Sequence, residues 1–421
     1  MPRPARLVAP PYERYADAIA ALPAADRSRS LGVLDLDAFR ANAAAMAARA
    51  AGVPVRVASK SLRIRRAVLE ALEQPGFRGV MAYALAEALW WAESGQPDVL
   101  VAYPTADEAA LDALLHSPRA RAAVVLTVDS AEHLRWIEDR VRAAGVHPGR
   151  GAADLPPLRL CLDVDTAWRP LARVRVGALR SPVRTPDQAR ELADRILRTP
   201  GVRLSGVLAY EAQVAGLPDA SGPRAAAVRV VKSGSRRDLA RRRPAIVAAV
   251  RQAVRAAGAE LDFVNGGGTG SLAETAAEGV VTELGAGSGL LAPASFDGFH
   301  GLGLRPAASY VRPVVRRPAP DVVTVAGGGW IASGAPGADR WPTVAWPEGL
   351  RLTRQEGAGE VQTPLHGPGA ARLALGDPVF FRHAKGGEPA EHLDAVAVYS
   401  AQADAIVDLW PTYRGEGRMF T

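Results

Sequence analysis

From residue 31 to about residue 286 the chain alternates short apolar runs with longer Ala-, Arg- and Leu-rich segments. This alternation narrows the possible folds more than any other feature. After a first run "LGVLDL" (31–36) come "PVRVAS" (54–59), "GVMAY" (79–83), "DVLVAY" (98–103) and "AAVVLTVD" (122–129). Then follow "LRLCLDVD" (158–165), "RLSGVLAY" (203–210), "LDFVNG" (261–266) and "VVTEL" (280–284). Between nearly all of them lie segments long enough for a crossover helix, such as "SAEHLRWIEDRVRAAG" and "TPDQARELADRILRTPG". The last gap, "SLAETAAEG", permits only a short helix. Such alternation predicts a parallel sheet. Leaving aside the run at 31–36, the strands number eight, which closes a (β/α)8 barrel of the TIM type; a doubly wound sheet is the alternative. A closed barrel also explains runs that are almost wholly apolar, because both faces of each strand are buried.

After about Pro306 the texture changes. "YVRPVV", "DVVTVAGGGWI", "RLALGDPVFFRH" and "AVAVYS" are separated by Gly/Pro turns with few helical stretches, which predicts a β-rich second domain. The expected division is an N-terminal extension (1–30), a barrel (31–304) and a β-rich C-terminal domain (305–421). The strand at 31–36 could join the second domain, and Asp37 can cap the helix "DAFRANAAAMAARA" that follows it. A chain of 421 residues suits two domains. No apolar run reaches the length of a membrane span, and the N-terminus lacks the continuous apolar core of a secretory signal. Cys161, the one cysteine, excludes an internal disulfide framework and a cysteine metal cluster, so a cytoplasmic location is expected. The net charge of +7 raises nucleic-acid binding. The only dense basic cluster, "SGSRRDLARRRPA", has no recognition motif or stacking aromatics. It is expected to form the solvated first turns of a helix continuing through "IVAAVRQAVRAAGA".

Composition matters most for the basic residues. Of 51 lysines and arginines only Lys60, Lys232 and Lys385 are lysines. An arginine stays protonated in a protein, whereas a lysine amine can be neutralised and act as a nucleophile. Lys60 lies just past the first barrel strand, at the end where barrels place reactive groups. There, with its stem among apolar neighbours, desolvation would lower its pKa and favour an imine with a carbonyl. The second constellation is "NGGGTGS" (265–271), which follows the seventh strand and opens a helix. Its glycines permit close backbone approach to an anion, and Thr269 and Ser271 add hydroxyls at a helix start. Barrels bind phosphate at this place, beside the eighth strand's turn "GAGSG" (285–289). An imine-forming lysine and a phosphate cradle together fit pyridoxal 5′-phosphate. A phosphorylated sugar aldehyde, in a Schiff-base aldolase, is the chemically distinct rival.

"LDLDAFRANAAAMAARAAGVPVRVASKS" resembles the start of the alanine-racemase-type barrel, among the fold type III pyridoxal-phosphate enzymes. "GVMAYALAEAL", "DVLVAYPT", "GVLAYEAQVAG" and "VNGGGTGS" resemble its D-threonine aldolase and D-serine dehydratase branch, and most closely bacterial amino acid deaminase/aldolase proteins. The resemblance implies a cofactor-binding barrel followed by a β domain, paired as a homodimer. It implies that Lys60 holds the cofactor, that Gly267, Gly268, Thr269 and Ser288 bind its phosphate, and that Tyr210 lines the pocket. It places Arg169 near the arginine that faces the pyridine nitrogen, one residue out of register, with Arg180 as the rival.

The branch also implies a metal pair in the β domain, a histidine and an aspartate or cysteine two positions on. Here His383 is followed at that spacing by Lys385, a cation and a poor ligand, with Glu388 and His392 further along. No metal ligands are therefore assigned and a divalent metal is doubtful. His383 is left as a metal-free base on a β-hydroxyl, or as a structural histidine, and Lys385 as a candidate for the substrate carboxylate. The expected activity is a lyase on D-β-hydroxy amino acids, with aldol cleavage ahead of dehydration and deamination. An amino acid racemase and a non-catalytic cofactor carrier are the alternatives. The only partner expected besides a second copy is a small amino acid, with no nucleic acid and no membrane.

Overall fold

The predicted barrel strands all form. The computed structural model describes residues 9–27, 30–145, 155–171, 173–220 and 225–421. In it the barrel strands are β1 (Val55–Ala58), β2 (Phe77–Ala82), β3 (Val99–Val101), β4 (Val124–Val128), β5 (Leu158–Asp163), β6 (Val202–Ala209), β7 (Phe263–Gly266) and β8 (Glu283–Ala286). They close in the order β7-β8-β1-β2-β3-β4-β5-β6, with parallel pairing throughout. Leu100, Val125, Cys161, Leu208 and Phe263 form one buried cluster with Met81 against it. Gly206 leaves the space that the Phe263 ring fills.

At the N-terminal ends of the strands, Arg56 is buried and paired with Glu283 and with Asp98, each at 2.8 Å. A buried guanidinium needs such partners. The crossover helices start as their sequences dictate: Ser130 accepts from the His133 amide, and Thr185 forms a capping box with Gln188 behind Pro186.

By its internal contacts the chain divides into two compact units. One holds the barrel, as Met46–Ser59, Pro75–Ala286 and Phe420–Thr421; the other comprises Met1–Ala45, Lys60–Gln74 and Gly287–Met419. The second unit is built on a β-sheet. Its strand Leu31–Asp35 pairs parallel with Ala395–Ser400 and antiparallel with Ala308–Ala319. The helix Tyr12–Ala20 buries Tyr12, Tyr15 and Ile19 against Val33, Phe380 and Tyr399 of this sheet. Among the described residues no helix is long and apolar enough to cross a membrane.

Two local expectations are corrected. Asp35, not Asp37, caps the helix Leu36–Arg49: its carboxylate accepts from the Ala38 amide at 2.8 Å and from the Tyr15 hydroxyl at 2.6 Å. Asp37 already lies in the first turn. The basic stretch 233–245 is the middle of one helix, Ala225–Ala256, and not its first turns. Arg237 and Arg241 are exposed, but Arg243 is buried and paired with Glu211 and Glu278. The helix begins early because "AAAVRVV" continues it backwards without a stop, and Pro244 does not break it.

Candidate active site

In the barrel unit the loop after β7 turns at Gly267, where φ is +79° and a side chain would also meet Leu284 at 2.8 Å. Glycine is the residue that tolerates both constraints. The loop is held from behind by Glu211, the second residue after β6. Its carboxylate accepts from the Gly267 amide at 3.1 Å, from Ser271 at 2.8 Å, from Thr275, and pairs with Arg243 at 2.5 Å. Burial works to raise the Glu211 pKa, yet Arg243 and these donors hold it below the usual carboxylate range. Ser271 also accepts from the Gly268 amide at 3.2 Å, and Thr269 is buried with its carbonyl accepting from Arg49. Sequence reasoning does not single out Glu211. The available signal was an acidic residue directly after Tyr210 in an otherwise apolar stretch.

Tyr210 directly follows β6, and burial pushes its phenol up to about 12. The Arg180 guanidinium lies over Tyr210 at 5.7 Å and over Tyr103 at 5.1 Å, a cation–π arrangement at the C-terminal ends of the strands. At the end of β5 stands Asp163, whose carboxyl burial raises to about 7, with Asp129 adding to the shift and Arg180 opposing it. Arg169 has a different place. It sits in the hairpin formed by Trp168–Leu171 and Val174–Val176, bonded to Asp165 at 3.0 Å and half-exposed. Of the two arginines, Arg180 is the one brought to Tyr210. Lys232 is buried in the long helix, paired with Asp219 at 3.0 Å.

In the sheet unit, Lys60 sits in a turn of 3-10 helix, Ser59–Ser61, that directly follows β1. It is exposed, so the apolar surround expected for its stem is not provided by the described residues. Gly387 packs on this turn with φ +80°, and a methyl group there would overlap the Lys60 carbonyl oxygen. A methyl on Gly386 would stand 3.1 Å from both the Ser61 oxygen and the Ser288 Cβ. Ser288 begins the short helix Ser288–Leu291. The segment His383–Glu388 thus runs onto both Lys60 and Ser288. His383 follows the strand Pro378–Arg382, is 4% exposed, and its Nε2 is buried without a hydrogen-bond partner. Burial, helped by Arg382, lowers its pKa to about 3.

Lys385 Nζ donates to the Ser333 carbonyl at 2.7 Å. Burial, then Arg340, lowers its pKa, with Lys60 among the further causes. Glu388 accepts from the Ser333 amide at 2.9 Å and from its hydroxyl, and the His392 ring stacks on Trp330 at 5.0 Å. Among the described residues no three His, Cys, Asp or Glu side chains gather in a way that holds a metal ion. At the position that the resemblance gives to a second ligand stands the Lys385 ammonium, which has donors and no acceptor, so the donor set His383–Lys385 does not fit a divalent metal.

Residues 34–290 match the family model described as alanine racemase, N-terminal domain. A D-threonine aldolase of Arthrobacter sp. is 29% identical over 305 residues, 70% of each chain. A 3-hydroxy-D-aspartate aldolase of Paracoccus denitrificans is 26% identical over 287 residues, 67% of this chain and 66% of that one. The crystal structure of D-threonine aldolase from Filomicrobium marinum matches with a TM-score of 0.71 at 22% identity, covering 99% of both chains.

Proposed function

The chain belongs to the alanine racemase N-terminal-domain family, among the fold type III pyridoxal-phosphate enzymes, and from that premise we propose that it is a pyridoxal-phosphate-dependent lyase. Its substrates are D-β-hydroxy amino acids, cleaved between Cα and Cβ to glycine and an aldehyde. One observation carries the reading. Strands β7, β8 and β1 are consecutive in the barrel, and the segments directly after them bring the glycine loop, Ser288 and Lys60. The two aldolases related in sequence support cleavage ahead of dehydration.

The residues fit the cofactor. Gly267 provides a turn that excludes a side chain, Gly268 lies against Tyr210, and a helix opens behind them, which is how backbone donors are offered to a phosphate. Lys60 would hold the aldehyde carbon, and Gly267, Gly268, Thr269 and Ser288 the phosphate. Since the Gly267 and Gly268 amides already donate to Glu211 and Ser271, these two glycines contribute the turn and close approach rather than donors. Tyr210 would line the pocket. Arg180 takes the role at the pyridine nitrogen in place of Arg169, supported by its stacking over Tyr210.

Bound pyridoxal phosphate supplies an electron sink for the bond that breaks at the substrate α-carbon. His383, a neutral imidazole whose Nε2 is unpartnered, is the acceptor for the β-hydroxyl proton in cleavage. With a pKa near 3 it is a weak base as it stands, and a carboxylate bound nearby would raise it. The reading extends to a cytoplasmic homodimer, an assembly that light scattering would check.

The test is the near-visible absorption spectrum of the purified protein with and without borohydride, on wild type and on Lys60→Ala. A chromophore that borohydride fixes to Lys60 is expected, and D-threonine should yield glycine and acetaldehyde. Ammonia with a 2-oxo acid would mean dehydration instead, the L-enantiomer racemisation, and no turnover a carrier. A colourless protein that pyridoxal phosphate cannot restore would overturn the reading in favour of the phosphosugar aldolase.

A further inference from the structure

Three cations gather in the sheet unit where the segment His383–Glu388 meets the Lys60 turn. Lys385 and Arg340 flank the same glycine: a methyl group on Gly334 would stand 3.4 Å from Lys385 Nζ and 3.2 Å from Arg340 Nε. Lys60 is close enough to act on Lys385 electrostatically. The carboxylates nearby are already engaged, Glu388 by Ser333 and Asp339 by Arg340 at 3.5 Å. Arg340 Nε is itself buried without a hydrogen-bond partner. The resemblance puts the second ligand of a metal pair two residues after the histidine, which is the position of Lys385. The side chain there is an ammonium group with three donors and no acceptor, aimed at a backbone carbonyl. A divalent cation placed here would meet like charges rather than ligands.

We propose that Lys385 stands in place of a metal: no divalent ion is held beside His383, and the Lys385–Arg340 pair receives a carboxylate of the substrate. The second half of this proposal rests on the lyase reading above; the first does not. The ammonium then supplies the positive charge that a metal would otherwise bring. The carboxylate is either the one on Cα or one at the end of the side chain, as in 3-hydroxyaspartate. Both present the same chemistry to Lys385, and the choice of substrate separates them.

The first experiment needs no substrate. The purified wild-type protein is loaded with Mn(II), passed through a desalting column and measured by electron paramagnetic resonance. No stoichiometric retention is expected. Retention that His383→Ala abolishes would overturn the proposal. Lys385→Asp, which restores an acidic donor two residues from His383, is expected to gain retained Mn(II). If its melting curve is native-like and it gains none, Lys385 is not what closes this position to metal and the replacement is refuted. The second experiment is kinetic. Lys385→Met should raise KM roughly tenfold or more, the loss of one charged hydrogen bond, with a smaller change in kcat. An increase with D-threonine as well as D-3-hydroxyaspartate identifies the α-carboxylate, and an increase with the dicarboxylate alone identifies the side chain. An unchanged KM for both overturns the carboxylate role. Inactivity of the wild type on every D-β-hydroxy amino acid would count against the lyase reading and leave the Mn(II) result standing.

Discussion

The loop after β7 in the barrel unit and the segment His383–Glu388 in the sheet unit are both glycine-containing turns, yet they are built in different ways. The first is tied to one centre: a buried carboxylate, Glu211, joins an amide, two hydroxyls and a guanidinium into a single hub, in which Arg243 Nε is left without a partner. The second leaves polar groups unsatisfied: a buried imidazole nitrogen without a partner and two neighbouring cations with engaged carboxylates. A buried polar group without a partner carries a desolvation penalty. The hub holds the loop in one shape, whereas the unpartnered imidazole nitrogen leaves the second segment open to a group that brings its own charge. Under the function proposed above, the first would serve the cofactor and the second the substrate.

The largest effect should come from breaking the hub. Glu211→Ala leaves Arg243 with the Glu278 carboxylate and the Ala209 carbonyl and is expected to lose about 3–5 kcal/mol of stability, read from denaturant unfolding. A loss below about 1 kcal/mol would mean that the loop does not depend on its carboxylate. Next in size is Gly387→Ala, which combines a positive φ with overlap on the Lys60 carbonyl. It should cost about 1–3 kcal/mol and slow borohydride labelling at Lys60. Gly52→Ala is the control, because Gly52 also has a positive φ but open space around it; an equal loss there would leave only backbone strain.

The smallest effects are pH slopes, of opposite sign at His383 in the sheet unit and at Asp163 in the barrel unit. His383 has its folded pKa depressed to about 3 from an ordinary value of 6.5. The folded state therefore binds fewer protons than the unfolded one in that window. Its contribution is present above about pH 6.5 and is lost as pH falls towards 3. Asp163 has its folded pKa raised to about 7 from 3.8. Its contribution is fullest below about pH 4 and is lost as pH rises through 7. Each slope is at most about 1.4 kcal/mol per pH unit. His383→Gln should flatten the acid limb of the stability curve, and Asp163→Asn should lift its neutral limb. If both variants shift the same limb, the two environments are not the opposites described.

The barrel was legible because its signal is local. Most strands are largely apolar runs, helices such as Ala131–Ala143 and Pro186–Arg198 carry their own caps, and Lys60 and "NGGGTGS" sit at strand ends that the chain order itself specifies. The sheet unit was less legible. The strands Thr343–Trp346, Arg351–Leu352, Gln362–His366 and Ala405–Pro411 were not foreseen. They are short, or mixed with Pro, Gly and polar residues, and pairing with distant partners makes them strands. The helix Tyr12–Ala20 gains its place from apolar side chains that meet the sheet only in three dimensions.

The sequence by itself determined the alternation that closes a barrel, the lysine at the end of its first strand and the loop that turns at Gly267. These follow from periodicity and from the chemistry of single residues. Only the tertiary structure laid Arg180 over Tyr210 and Arg169 against Asp165, made Glu211 the support of the glycine loop, and set Gly386 and Gly387 against the Lys60 turn. Those choices depend on which charges and backbones come together across long stretches of chain. Burial and Coulomb interactions fix them through space, and no spacing along the chain encodes them.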